Sequence, residues 1–219
     1  MGLWMSSHCR TVVNREGYIK ELSKYIDITV VGACSKNDGK ECPRGPNSSH
    51  KKSCREDLFR NHMFIMSFEN AICDEYVTEK IYRALNYPIV PVVMGGANYT
   101  KMFPPKSYID VNDFDSVKDL AVYLKRLSQN LTEYRKYFKW KGQYNKYHYN
   151  KWCQLCAKLN EDSMPNLIEN AYDLWFKRKN GDYICSNGAD RKYNKNSHLK
   201  PNKILGSPDI EREIVHIFE

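Results

Sequence analysis

Two short segments hold residue types suited to a phosphorylated ligand. Ser67-Phe68-Glu69-Asn70 closes an apolar run, and Asp74-Glu75-Tyr76-Val77-Thr78-Glu79-Lys80 opens a helical pattern. Where a strand runs into a helix, the unpaired N–H groups of the first helical turn form an anion site, and the macrodipole favours negative charge. Lys80 adds a cation where the dipole alone disfavours one. Glu79 repels phosphate, but a carboxylate is a good bidentate acceptor for ribose hydroxyls. A nucleotide diphosphate ester asks for both, cations for its pyrophosphate and an acceptor for its sugar. The same spacing also describes an ordinary capped helix with a solvated Glu and Lys, and spacing alone leaves the two readings open.

The elements that must position these residues alternate. Leu3 to Ser7 is a short apolar run that reads as a buried strand. Asn14 reads as a helix N-cap with Glu16 in the first turn, and Tyr18, Ile19, Leu22, Tyr25 and Ile26 recur at helical spacing, so a helix is predicted over residues 15 to 26. Ile28 to Val31, stopped by Gly32, reads as the next strand, which makes the opening β-α-β. Residues 33 to 57 read as a loop, broken by Gly39, Pro43, Gly45 and Pro46. Strands are predicted at His62 to Phe68, Ile89 to Met94 and Tyr108 to Val111, the second weakened by Pro91. Helices are predicted from Thr78 to Asn86, from a cap at Asp115 or Ser116 through Leu127, over residues 131 to 140, and over 166 to 177. The pattern is that of a doubly wound α/β domain of Rossmann type over residues 1 to 160, with any ligand at the carboxyl ends of its strands. Residues 161 to 219 then read as a helix and a polar, basic, partly disordered tail.

Composition narrows the setting. Among 219 residues, 34 Lys and Arg against 26 Asp and Glu give a formal charge of +8, which attracts polyanions or phosphate-bearing ligands without choosing among them. No apolar run is long enough to span a membrane, and Met1 to Met5 is too short for a signal peptide. Eight cysteines nevertheless suit an oxidising compartment. So do the sequons at Asn47, Asn98 and Asn130. A luminal protein without an entry signal reads as a fragment. Cys153-x-x-Cys156 fits a zinc pair, a redox pair or a structural disulfide; no second pair and no strand-to-helix turn accompanies it, so the disulfide is preferred. His8, His62, His148 and His198 read as packing or surface residues.

The order of motifs goes further than composition. Phe68-Glu69-Asn70, a spacer, and Tyr76-Val77-Thr78-Glu79-Lys80 resemble the signature of the α1,3-fucosyltransferase family, glycosyltransferase family 10. The likeness continues through Pro91 to Gly95, Asn98-Tyr99, Pro104 to Ile109, Asp113-Phe114, Ser116 to Leu120, Tyr123-Leu124, Tyr134, Tyr137-Phe138 and Trp140-Lys141. Upstream, Ser7-His8-Cys9 and Asn14-Arg15 are similar to the family's Ser-x-Cys and Arg segment. Cys34, Cys73 and the Cys153/Cys156 pair resemble most the invertebrate branch that modifies the N-glycan core.

This resemblance implies the C-terminal, donor-binding half of a GT-B glycosyltransferase. It implies that Arg15 and Lys80 contact the phosphates of GDP-fucose and that Asn70, Tyr76 and Glu79 supply the remaining donor contacts. It also implies an inverting transfer of fucose, in α1,3 linkage, to GlcNAc of glycoprotein N-glycans. No cofactor is required, with Mn2+ left open. The setting is the Golgi lumen, where longer family members are type II membrane proteins. The family's catalytic base lies in the acceptor half, so no catalytic residue is assigned here; Glu69, at a strand end, is given to the fold or the cleft wall. Two alternatives remain: a nucleotide-sugar-binding remnant without transferase activity, and a nucleic-acid binder using the basic, aromatic stretch 134 to 152.

Overall fold

The computed structural model describes residues 1–35, 42, 49–144, 151–160 and 185–186. A five-stranded parallel sheet is built from β1 (Gly2–Met5), β2 (Ile28–Val31), β3 (Phe64–Phe68), β5 (Val90–Met94) and β6 (Ile109–Asp110) in the order β2-β1-β3-β5-β6. Parallel neighbours need crossovers, which α1 (Arg15–Leu22), α2 (Ser49–Arg60), α3 (Glu79–Ala84) and α4 (Tyr99–Met102) provide; α5 (Val117–Gln129) and α6 (Leu131–Arg135) follow.

Both sheet faces are apolar because both are covered. Along β3, Phe64, Met66 and Phe68 join one core with Tyr18, Ile19 and Leu22 of α1, Leu120, Leu124 and Leu127 of α5, and Tyr134 of α6. Ile65, between them in sequence, packs on the other face with Leu3, Phe59 of α2 and Ala84 of α3. Val93 does the same with Ile81, Tyr99 and Phe103. The period of two is thus present, but hidden in the sequence because each alternate residue is also apolar.

Pro91 sits inside β5 without harm. Val90 donates its N–H to Met63 on the β3 side at 2.9 Å, so the next nitrogen faces β6. Pairing with β6 starts only at Val92, which faces Ile109. The missing N–H therefore falls where the sheet needs no donor.

Caps are where the residue types place them. Asn14, in the left-handed region at φ 52°, accepts from Gly17 N at 3.1 Å. Ser116, rather than Asp115, caps α5, accepting from Asp119 N at 3.1 Å and donating to its carboxylate at 2.6 Å. The first helix ends at Leu22, short of residue 26, with a turn completing the connection.

Five elements differ from the sequence reading. Helix α2 occupies the second half of the stretch read as loop; it is polar on most sides, and its apolar signal reduces to Leu58 and Phe59. The single turn α4 is too short to carry a period, whereas the exposed helix α7 (Lys151–Leu159) has Trp152, Leu155, Cys156 and Leu159 at helical spacing, a signal that was passed over. Two short strands, β4 (Ile72–Cys73) and β7 (Cys185–Ser186), pair antiparallel, and Cys73 is disulfide-bonded to Cys185. That cross-link fixes two residues of the stretch read as tail, and local pattern cannot reveal a pairing across 112 residues. The helix expected over 166 to 177 lies outside the described residues.

The cysteines need one correction. Disulfides join Cys9 to Cys34, Cys42 to Cys54 and Cys73 to Cys185, whereas Cys153 and Cys156 form none. Both of the latter are exposed on α7, which presents Trp152, Leu155 and Leu159 to solvent beside them. Helical continuity, not a covalent staple, holds this segment. Iodoacetamide should therefore label Cys153 and Cys156 in the native protein, and the other six only after reduction, as read by peptide mass spectrometry. Resistance of Cys153 and Cys156 to alkylation before reduction would restore the disulfide assignment.

Candidate functional site

In a doubly wound sheet with this order, chain connections leave β1 and β3 in opposite directions, and a crevice opens at their carboxyl ends. A cleft of about 700 Å3 lies there. Met5 to His8 after β1, Gly32 after β2, and Ser67 and Asn70 at and after the end of β3 line it, with Glu79, Lys80 and Arg83 of α3 and Arg55 and Phe59 of α2. The β1 and β2 ends are drawn together by backbone bonds from Ser6 N to Val31 O and from Cys34 N to Ser6 O, and by the Cys9–Cys34 disulfide. Gly32, at φ 101°, has no alternative here, since a Cβ would lie 2.5 Å from Ser6 O.

Glu69 is the centre of the arrangement. Its carboxylate, 1% exposed, accepts from Thr78 N at 2.8 Å, from Thr78 Oγ1 at 2.7 Å and from Lys80 Nζ at 2.8 Å. Thr78 is the N-cap residue of α3, but its side chain does not cap; Glu69 does so from the strand end. Glu69 thus places an anion of the protein's own at this helix start, on the Thr78 N–H. Lys80 lines the cleft, its ammonium aligned by Glu69 and by Thr78 Oγ1 at 2.7 Å. Those two bonds use two of its three donors.

Arg15 reaches the cleft from below and is 2% exposed. Nη1 donates to Phe68 O at 2.8 Å, and Nη2 donates to Ser6 Oγ and His8 O, each at 2.9 Å. Its terminal nitrogens therefore tie the β1 loop to the end of β3, and its charge sits under the cleft floor. Tyr76 brings a buried hydroxyl close by. Burial above all, and the neighbouring Glu69 and Glu79 carboxylates, raise its pKa far above the ordinary phenol value against the opposing pull of Arg15, so it stays a donor. Asn70 and Glu79 line the cleft directly. Of the five residues singled out from sequence, four line one cleft, and Tyr76 stands beside it, within electrostatic reach of Glu69, Glu79 and Arg15.

Sequence reading passed over Arg55 and Arg83, two further cleft cations. Arg83 had a signal, since it shares a helix face with Glu79 and Lys80 at i+4 and i+3. Arg55 had none once its helix was read as loop. Among the described residues, no group of three or more His, Cys, Asp or Glu comes together that could hold a metal ion. No helix there is long and apolar enough to cross a membrane.

The first part of the basic, aromatic stretch packs into the fold. Tyr134 is buried in the core and donates to Met63 O at 2.7 Å, Tyr137 pairs with Tyr123 through their hydroxyls, and Phe138 packs edge-on to Tyr134. Of the same stretch Tyr144 and Trp152 are exposed, and residues 145–150 lie outside the described residues. Of the sequons, Asn98 and Asn130 are exposed and cap α4 and α6 through Oδ1, leaving each Nδ2 available for a glycan; Asn47 lies outside the described residues.

A doubly wound parallel domain with a cationic cleft at its switch point defines the phosphate-ligand class of α/β proteins. Within that class, residues 1–174 match the family model for glycosyltransferase family 10 (fucosyltransferase) C-term, and the chain belongs to that family. It is 36% identical over 176 residues to alpha-(1,3)-fucosyltransferase C of Drosophila melanogaster, covering 79% of this chain and 40% of the relative. It is 35% identical over 196 residues to glycoprotein 3-alpha-L-fucosyltransferase A of the same organism, covering 87% and 37%. GDP-fucose protein O-fucosyltransferase 3 of Xenopus laevis is 38% identical over 141 residues, 63% of this chain and 30% of that one. A crystal structure of an alpha1,3-fucosyltransferase with GDP-fucose superposes with a TM-score of 0.57 at 19% identity, over 75% of this chain and 48% of that one. The fold is accordingly that of the C-terminal half of a GT-B glycosyltransferase. The chain spans about two fifths or less of the length of these curated relatives.

Proposed function

We propose that this domain binds GDP-fucose and serves fucose transfer, in α1,3 linkage, to GlcNAc of glycoprotein N-glycans. The observation that carries the reading is the Glu69–Thr78–Lys80 clamp at a cleft lined by four Lys or Arg residues. Lys80 meets the diphosphate with its remaining donor, while Arg15 contributes charge from beneath and orders the Ser6–His8 loop. Glu79 accepts the ribose hydroxyls, and Asn70 and Tyr76 donate to the sugar-phosphate. The cations stabilise charge on the departing GDP as the acceptor hydroxyl attacks the anomeric carbon with inversion. They also do electrostatically what Mn2+ would do, so we assign the metal no step. Three disulfides support an oxidising compartment, and with the family membership they support the Golgi lumen.

Calorimetry tests the donor assignment. GDP and GDP-fucose should bind more tightly than UDP-galactose, and Lys80→Ala should cost about 1.5–3 kcal/mol of GDP affinity, the range for hydrogen bonds to charged groups. Equal or tighter binding of UDP-galactose would sink the reading.

A further inference from the structure

We propose that Arg55, held over the cleft by the Cys42–Cys54 disulfide, is an additional ligand for the donor's diphosphate. The inference rests on the donor reading above and assigns a residue from a different part of the fold. Arg55 is half-buried and lines the cleft together with Lys80 and Arg83. Among the described residues it enters no ion pair. A guanidinium cannot escape burial by losing its proton, so a half-buried one gains most when an anion meets it. Of the other inner cations, Lys80 is paired with Glu69 and Arg15 is bonded to Phe68 O, Ser6 Oγ and His8 O, and the cleft's carboxylate is Glu79. The balance around Arg55 favours a dianion, and its planar fork suits phosphate oxygens.

The helix that carries Arg55 is fixed on either side of it. Cys54, the preceding residue, is bonded to Cys42, which itself lines the cleft. Phe59, one turn further, is 1% exposed, forms part of the cleft wall and stacks on Tyr87 with ring centroids 4.6 Å apart. Leu58 packs in the same cluster, and the rest of α2 is polar in sequence. One covalent and one aromatic anchor thus bracket a single cation, and such preorganisation lowers the ordering cost of binding.

The test titrates the full chain with GDP and with guanosine. Arg55→Gln should weaken GDP about tenfold and leave guanosine unchanged. In a Cys42→Ser/Cys54→Ser background GDP should bind more weakly, and Arg55→Gln should then cost clearly less than tenfold. Equal loss for guanosine and GDP would overturn the diphosphate contact. A full tenfold effect without the disulfide would overturn the tether. Unchanged GDP affinity in Arg55→Gln, with Lys80→Ala still weakened, would overturn this inference and leave the donor reading standing; no effect in either would sink the donor reading itself. If the cysteine variant does not fold, Arg55→Gln alone decides the contact.

Discussion

Replacing Glu69 by Ala is expected to destabilise the domain by about 3–5 kcal/mol, the range for removing one partner of a buried charge pair. The carboxylate is 1% exposed and satisfies three donors at once. Its loss strands the Thr78 N–H and hydroxyl at the start of α3. Lys80, 22% exposed at its side chain, keeps access to water and is penalised less. Glu69→Gln should recover part of the loss, since an amide oxygen can still accept from Thr78 N but carries no charge for Lys80. Glu79→Ala is the control: Glu79 is exposed one residue before Lys80, and its removal should stay within about 0.5 kcal/mol. Urea unfolding measures all three. GDP affinity should fall in Glu69→Ala by at least as much as in Lys80→Ala, because an unanchored ammonium must be ordered on binding. Stability of Glu69→Ala within 1 kcal/mol of the parent would mean that the clamp is not what holds this corner.

How much of this was legible follows from how local each signal is. The α5 stripe of Val117, Leu120, Ala121, Leu124 and Leu127, with its cap at Ser116, contains its own evidence, and all five are buried. The strands were legible as apolar runs, yet which residues face which layer was not, because Phe64 and Ile65 are alike in chemistry and opposite in direction. Motif order brought Arg15, Asn70, Tyr76, Glu79 and Lys80 to one place, since each reports a fixed corner of the fold. Their partners were hidden. Arg15 spends its guanidinium on the Phe68 carbonyl 53 residues away, and a backbone acceptor leaves no mark in the sequence. Glu69 was given to the fold or the cleft wall, but only folding turns Thr78 and Lys80 toward it. The cysteine pattern misled for the same reason: Cys153 and Cys156 are close in sequence, while the bonds that form join residues that folding brings together.

The 219-residue chain alone is expected to bind GDP-fucose without transferring fucose at a useful rate. Transfer needs a base for the attacking hydroxyl, typically worth about 10²–10⁴-fold. It also needs the acceptor held within attacking distance of the anomeric carbon, an advantage of roughly 7–11 kcal/mol at best. Among the described residues Glu79 lines the cleft and Glu69 stands behind Lys80, and neither is suited to the first task. Glu69 has its oxygens taken by three donors, and Glu79 is assigned to the ribose. For the second, the described residues supply a donor cleft, and the chain covers only about 40% of its Drosophila melanogaster relative. Donor binding and leaving-group stabilisation would remain, so slow hydrolysis of GDP-fucose by water is the activity to look for. Labelled GDP-fucose, with and without an N-glycan core glycopeptide, separates the cases. Release of fucose at a rate independent of the glycopeptide fits a donor domain working alone. Saturable transfer to the glycopeptide would place a base among these residues, and comparison of Glu69→Gln with Glu79→Gln at saturating GDP-fucose would identify it by which variant loses turnover.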